Sequence, residues 1–183
     1  VIVGAGSISF EMVRDLTERL PIMIVPKWAS TRIQPIGIRD LLAYLVTALE
    51  TPASAGRIIE IGGADVLTYT DMMKQYAAER RLRRHLIHVP VLTPRLSSYW
   101  VHWVTPIPAS IAGPLIDGLR SELVVRDLSA QELFPDIEPT DYRTAVSRAL
   151  ERIREGDVES IWSDALSSSQ GDDNPTFFKL EQG

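Results

Sequence analysis

The sequence predicts an α/β fold. Short apolar runs of strand length alternate with stretches whose apolar residues recur at helical spacing, and this alternation is typical of a sheet covered by helices. The chain has 183 residues, of which 45% are hydrophobic, so it is long enough to bury a core of its own. It contains no cysteine, which excludes disulfides, thiolate metal sites and cysteine nucleophiles.

The first third of the chain carries the clearest elements. Three apolar runs predict strands, over residues 1–4, 22–25 and 34–38. A helix is predicted to begin at Ser9 as its N-cap and to end at Arg19, because Pro21 follows. A second helix is predicted over residues 40–50, where five apolar side chains share one face: Leu41, Leu42, Leu45, Val46 and Leu49.

The alternation of strands and helices continues to residue 89, and the chain beyond it is mostly helical. Strands are predicted over residues 57–61 and 85–89. The helix between them is predicted to begin at Thr68 or Thr70. The last amphipathic helix is predicted over residues 140–153.

The chain is predicted to hold one domain and the beginning of another. Residues 1–155 carry the strands and helices described above. Residues 167–175 are all small or polar, with three serines and two aspartates, which is the composition of a polar linker. We therefore assign residues 156–183 to a linker and the start of a further domain.

The composition also limits the partners of the chain. Its net charge is −5 at pH 7 and its pI is about 5.2, which argues against a nucleic-acid partner. No apolar run approaches the roughly 20 residues that a bilayer-spanning helix needs, and we expect a cytoplasmic protein. No metal site is expected, because His85 and His88 point to opposite faces of a predicted strand.

A glycine-rich turn, Gly4-Ala5-Gly6, follows directly on the first strand, and it has two interpretations. As a dinucleotide-binding loop it is incomplete, because the third glycine position is Ser9 and the next strand ends near Lys27 without an acidic residue for the ribose. As a tight turn at a strand end it needs no ligand. We favour the second interpretation, with the chain cut out of a longer one that binds the dinucleotide elsewhere.

No catalytic residue is predicted. A lysine four residues after a tyrosine would lower the pKa of the phenol, but none of the five tyrosines is followed by lysine at that spacing. The sequence also lacks the G-x-S-x-G, H-E-x-x-H and P-loop motifs.

Several short motifs occur in an order that resembles a known family. They are Ser9-Phe10-Glu11-Met12, Pro26-Lys27-Trp28, Gln34-Pro35-Ile36 and, most specifically, the stretch over residues 92–100. On these motifs, residues 1–154 resemble the C-terminal half of an atypical, extended short-chain dehydrogenase/reductase. The similarity is to bacterial NAD(P)H-binding proteins of the NmrA-like and nucleoside-diphosphate-sugar epimerase-like kind.

The resemblance implies the C-terminal part of a Rossmann-like fold with a mostly helical substrate lobe. It places four residues near the nicotinamide end of NAD or NADP: Val1, Ile2, Val3 and Gly4. It places Ser7, Ser9, Phe10, Gln34 and Arg39 at the substrate cleft, and the ring of Trp28 offers a further stacking surface. Simpler interpretations stay open, with Ser9 as a helix N-cap, Trp28 as a half-buried aromatic residue and Gln34 as a polar residue at a strand edge.

The expected function is that of the substrate-side part of an NAD(P)-dependent oxidoreductase or epimerase-like protein. Its partner would be a small-molecule substrate, and the chain alone is expected to be inactive and to bind no cofactor. The alternative is a non-catalytic NAD(P)-sensing regulatory or accessory protein. The aromatic residues Tyr99, Trp100 and Trp103 would serve as a peripheral membrane contact, a lid over an apolar substrate, or a core or subunit contact in an oligomer.

Overall fold

The computed structural model describes residues 1–89, 118, 121–156 and 158, and within these ranges the α/β prediction is confirmed. The strands in these ranges are β1 (Ile2–Val3), β2 (Ile22–Pro26), β3 (Arg32–Ile33), β4 (Ile36–Gly37), β5 (Leu67–Thr68) and β6 (His85–Val89). The α-helices are α1 (Ile8–Arg19), α2 (Ile38–Glu50), α3 (Tyr69–Glu79), α4 (Ser129–Leu133) and α5 (Tyr142–Glu155). Short 3-10 turns at Lys27–Ser30 and Pro52–Ser54 follow β2 and α2.

Within the described ranges the strands pair as three two-stranded sheets. β2 and β6 run parallel from Ile22 opposite His85 to Pro26 opposite Val89. β1 and β4 also run parallel, with Val3 opposite Gly37, whereas β3 and β5 are antiparallel. Parallel strands need a crossover connection, and helices supply it here, since α1 lies between β1 and β4 while α2 and α3 lie between β2 and β6.

The main core lies between the sheets and helices α1, α3 and α5. Phe10 of α1 and Tyr76 of α3 are fully buried and meet edge to face, with ring centroids 6.1 Å apart. A second, smaller cluster lies under α2, where the rings of Tyr44 and Phe134 are 5.8 Å apart. The buried faces of the helices thus hold the strand pairs in place.

Arg84 connects the end of α1 with the start of β6. Its Nε donates to the Thr17 carbonyl at 2.5 Å and its Nη2 donates to the Glu18 carbonyl at 2.9 Å. These carbonyls lie in the last turn of α1, where helical partners run out. The amide of His85 donates to the Pro21 carbonyl at 3.0 Å, so β2 and β6 begin side by side.

Two predicted element starts need correction. The N-cap of α1 is Ser7, not Ser9, because Ser7 has the extended backbone of a cap and Ser9 lies inside the first turn. Helix α2 begins at Ile38, which leaves only Ile36–Gly37 of the strand predicted over residues 34–38.

Two further predictions concern the chain between α2 and α3. The β-branched run over residues 57–61 does not form a strand, because it finds no hydrogen-bonded partner strand within the described ranges. For α3, the structure selects Thr68 as the N-cap. Its Oγ1 accepts from the Asp71 amide at 3.1 Å, and the Asp71 carboxylate accepts from the Thr68 amide at 3.1 Å, which forms a capping box.

The apolar face predicted for α2 is largely exposed. Leu42, Leu45, Val46 and Leu49 have 52%, 54%, 56% and 89% of their surface exposed. The helix instead buries Asp40 and Tyr44, with Leu41 packed beside them. We call these four exposed side chains the α2 stripe, because their spacing of three and four residues aligns them along the helix.

Candidate functional site

A cavity of about 280 Å³ lies at the carboxyl ends of β1 and β4. Its walls come from the residues that follow these two strands, from the first turn of α2 and from one face of α5. In α/β proteins, ligands bind beyond the carboxyl ends of parallel strands, and this cavity occupies that position.

Two glycines shape the turn between β1 and the cavity. A Cβ atom on Gly4 would lie 3.0 Å from Cβ and Cγ2 of Ile38, so a side chain there would press against the start of α2. Gly6 has a φ of 79°, in the left-handed region that favours glycine. The amide of Ser7 donates to the Gly4 carbonyl at 3.1 Å and closes the turn. The geometry of the turn therefore explains why glycine occupies both positions, whether or not a dinucleotide binds there.

One acidic residue of the cavity wall is held by the loop before α5. Asp40 is only 8% exposed, and its Oδ2 accepts from the Thr140 amide at 3.0 Å and from the Thr140 hydroxyl at 2.7 Å. Its charge also acts on Tyr44, whose pKa is raised by burial first and by Asp40 second. Asp40 thus ties α2 to the start of α5.

Helix α5 presents basic residues to the cavity from a well-anchored start. Asp141 accepts from the Thr144 amide at 2.7 Å, and Asp65 accepts from the Tyr142 amide at 2.8 Å. Arg148 and Arg152, one helical turn apart, then line the cavity. Sequence reasoning missed both arginines, although their spacing of four on an amphipathic helix was a visible signal.

The structure brings some of the predicted site residues together at this cavity. Val3, Gly4 and Arg39 line it. Val1 and Ile2 lie further back along the strand, where the Val1 carbonyl accepts from the Ile36 amide at 2.9 Å.

The two serines are engaged with β1. The hydroxyls of Ser7 and Ser9 donate to the Ile2 carbonyl at 3.0 and 3.1 Å, and the two oxygens are 3.1 Å apart. Neither serine is among the residues that line the cavity.

Two of the other predicted substrate residues, Phe10 and Gln34, have structural contacts. Phe10 has no exposed surface and packs in the core. The Gln34 amide bridges two loops, since Nε2 donates to the Gly63 carbonyl at 2.7 Å and Oε1 accepts from the Val125 amide at 3.0 Å. Trp28 belongs to the 3-10 turn after β2. Their roles toward a substrate stay predictions.

The predicted aromatic contact of Tyr99, Trp100 and Trp103, together with the motif over residues 92–100, lies outside the described residues. Among the helices that the structure does describe, none has both the length and the apolar character to cross a membrane.

No protein-family model and no curated protein matches the chain, but solved structures do. The triphenylmethane reductase of a Citrobacter species is 15% identical, with a TM-score of 0.60, over 81% of this chain and 51% of the reductase. A nucleoside-diphosphate-sugar epimerase from Staphylococcus aureus is 14% identical, with a TM-score of 0.56, over 79% of this chain and 50% of the epimerase. The Bordetella bronchiseptica enzyme WbmH, solved with NAD⁺, is 15% identical, with a TM-score of 0.51, over 86% of this chain and 44% of WbmH.

This chain shares their fold. At such identities the likeness is one of fold alone, and it confirms the predicted α/β architecture with Rossmann-like, NAD(P)-binding neighbours. The chain spans about half the length of these solved structures.

Proposed function

We propose that this chain forms the substrate-side part of an NAD(P)-dependent reductase or epimerase-like protein. The observation that carries the proposal is the cavity at the carboxyl ends of β1 and β4. It is supported by a fold shared with a reductase solved with NADP(H) and an enzyme solved with NAD⁺. The proposal implies two ligands, a nicotinamide dinucleotide and a small-molecule substrate.

The residues at the cavity fit one end of that dinucleotide. Val3, Gly4 and Ala5 line the cavity with an apolar strand end, against which a nicotinamide ring can lie. The described ranges hold no complete glycine-rich loop for the pyrophosphate, because Ser9 stands at the third glycine position. When bound, the dinucleotide would supply or accept the hydride, and the residues of this chain would bind and orient the substrate beside it.

The substrate contacts in this proposal come from the cavity wall and the turns around it. Arg39 lines the cavity directly. Ser7 and Ser9 hold the end of β1, and Gln34 holds the loops beside β4, so they position the wall. Phe10 belongs to α1 and anchors this helix by packing in the core.

The α2 stripe supports the further proposal that a dinucleotide-binding half packs against this chain. Soluble proteins rarely leave a contiguous apolar surface uncovered unless it is an interaction site. The solved relatives contain about as much chain again as the part that matches here. We therefore infer that this chain does not turn over substrate when it is alone.

A non-catalytic NAD(P)-sensing role is the second candidate, because the buried tyrosines of this chain do not supply a proton-transfer group. Burial raises the pKa of Tyr69, Tyr76 and Tyr142 well above the usual range of a phenol. General acid–base groups work best with a pKa near the working pH, so these three phenols are poorly suited to proton transfer.

A titration with the two uncharged halves of the dinucleotide tests the leading proposal. Reduced nicotinamide riboside, added to the ¹⁵N-labelled chain, should shift the amide signals of Gly4 and Ala5, and adenosine should not. Equal shifts with both ligands, or none with either, would overturn the placement of the nicotinamide.

A second titration tests whether the chain binds the whole cofactor. We expect no tight, saturable binding of NADH or NADPH to the folded chain by fluorescence. Tight binding that is lost in Gly4→Val would mean that the opening turn is a pyrophosphate loop, and the proposal of a substrate-side part would fail.

A further inference from the structure

We propose that the cavity at the carboxyl ends of β1 and β4 binds an anionic group of the substrate, a phosphate or a carboxylate, through Arg39 and Arg148. The inference rests on the proposed function and adds the chemical class of the ligand. It depends on three features of the cavity: the positive charge of its lining, two arginines without a partner among the described residues, and the apolar side chains beside them.

The cavity wall is positively charged although the chain is acidic. Among the described residues that line it, Arg39, Arg148 and Arg152 stand against one carboxylate, Asp40. The chain as a whole carries a net charge of −5, so this concentration of arginine is local. Asp40 already accepts two hydrogen bonds from Thr140, and Arg39 and Arg148 are the cationic groups through which we propose that the cavity attracts a charged ligand.

The two arginines differ from those that are held in ion pairs elsewhere on the chain. Arg80, for example, contacts Glu18 at 3.1 Å and Arg143 contacts Glu79 at 2.8 Å. The side chains of Arg39 and Arg148 form no hydrogen bond or ion pair with any described residue. Arg148 also borders a shallow depression that contains Glu79 and Glu151, yet it pairs with neither.

Apolar side chains line the cavity beside the arginines. Ala145 and Ala149 lie on the same face of α5 as Arg148 and also line the cavity. Val3, Ile38 and Leu42 are further apolar residues of its lining. With about 280 Å³ available, the cavity suits a small molecule with one anionic end and an apolar body.

Titration of the ¹⁵N-labelled full chain with sodium phosphate, and separately with sodium acetate, tests the proposal. We expect saturable shifts at the Gly4, Gly37 and Arg39 amides that weaken as the salt concentration rises. The anion with the lower Kd identifies the group, phosphate or carboxylate.

The variants Arg148→Gln and Arg39→Gln should each raise the Kd about tenfold, since each removes one charge-assisted contact. Arg143→Gln is the matched control, because it removes a charge from the same helix away from the cavity and should change the Kd less than about twofold. Thermal unfolding of each variant establishes that it is folded.

Equal weakening by Arg143→Gln and Arg148→Gln, or the absence of saturable shifts at the cavity, would overturn the inference. Either result would leave the proposed function standing, because that is tested with uncharged ligands. Loss of the nicotinamide riboside response with retained anion binding would instead overturn the proposed function alone.

Discussion

Buried hydroxyl groups show how much a single residue depends on its partner. The Tyr76 hydroxyl donates to Glu18 Oε1 at 2.6 Å, whereas the buried Tyr142 hydroxyl has no hydrogen-bond partner among the described residues. An unpaired hydroxyl in the core costs free energy that a hydrocarbon of the same shape does not. The two tyrosines are therefore expected to respond in opposite ways to removal of the hydroxyl.

Tyr142→Phe should raise the free energy of unfolding by about 1 kcal/mol, because it removes an unsatisfied buried group and leaves the ring in place. Tyr76→Phe is the control and should lower it by about 1 kcal/mol, since Glu18 loses a donor. Urea denaturation measures both values. A destabilised Tyr142→Phe variant would mean that the hydroxyl has a partner, such as an internal water.

Among single residues, the resemblance placed Val3 and Gly4 near the nicotinamide and Arg39 at the substrate cleft. All three line the cavity, and their contacts with a ligand stay predictions. Sequence reasoning missed Arg148 and Arg152. Their spacing of four places them on one face of a helix, but no local pattern indicates which distant segment that face meets.

At the scale of elements, periodicity located the helices but did not determine which face is buried. Helix α2 has apolar residues on more than one side, so both a buried and an exposed apolar face are compatible with its pattern. Packing of Tyr44 against Phe134 decides between them. Strands of two residues, such as β3 and β4, are too short for an alternating pattern, and the register of β2 against β6 joins segments some sixty residues apart.

Substitutions in the α2 stripe should affect association more than folding. Leu45→Gln combined with Leu49→Lys should change the free energy of unfolding by no more than about 0.5 kcal/mol, because both side chains are mostly exposed. Because the stripe is uncovered when the chain is alone, we expect the chain to self-associate through it, and the variant to do so less in size-exclusion chromatography with light scattering.

Tyr44→Ala, on the opposite face of α2, is the comparison and should cost about 3 kcal/mol. If the stripe variant were as unstable as Tyr44→Ala, the stripe would have to be buried in the folded chain.

At the scale of the whole molecule, the order of strands and helices was predictable and their assembly was not. The alternation along the sequence indicated α/β correctly. It did not indicate that the described strands pair two by two, because pairing depends on contacts between distant segments. The resemblance carried by short motifs already implied a Rossmann-like fold, and comparison in three dimensions confirms that fold at identities where no family model matches.

The proposed boundary after the first domain can be tested by truncation. Helix α5 ends at Gly156, which has a φ of 70° and donates its amide to the Ile153 carbonyl at 3.3 Å. A chain that stops after residue 158 should melt within about 2 °C of the full chain, because this C-cap is retained.

A chain that stops after residue 141 should fail to fold, since it lacks the buried face of α5, including Tyr142 and Val146. Differential scanning calorimetry separates these outcomes. A large loss of stability in the longer truncation would extend the domain beyond residue 158.

The contact made by Arg84 has a consequence for the way the molecule opens. Arg84 reaches back 67 positions to the Thr17 carbonyl, so a single guanidinium closes a long loop of chain. Fraying at the start of β6 would carry that guanidinium away and uncover the last carbonyls of α1 at the same moment. The two segments therefore share one opening event, and amide hydrogen exchange would register them as a single cooperative unit.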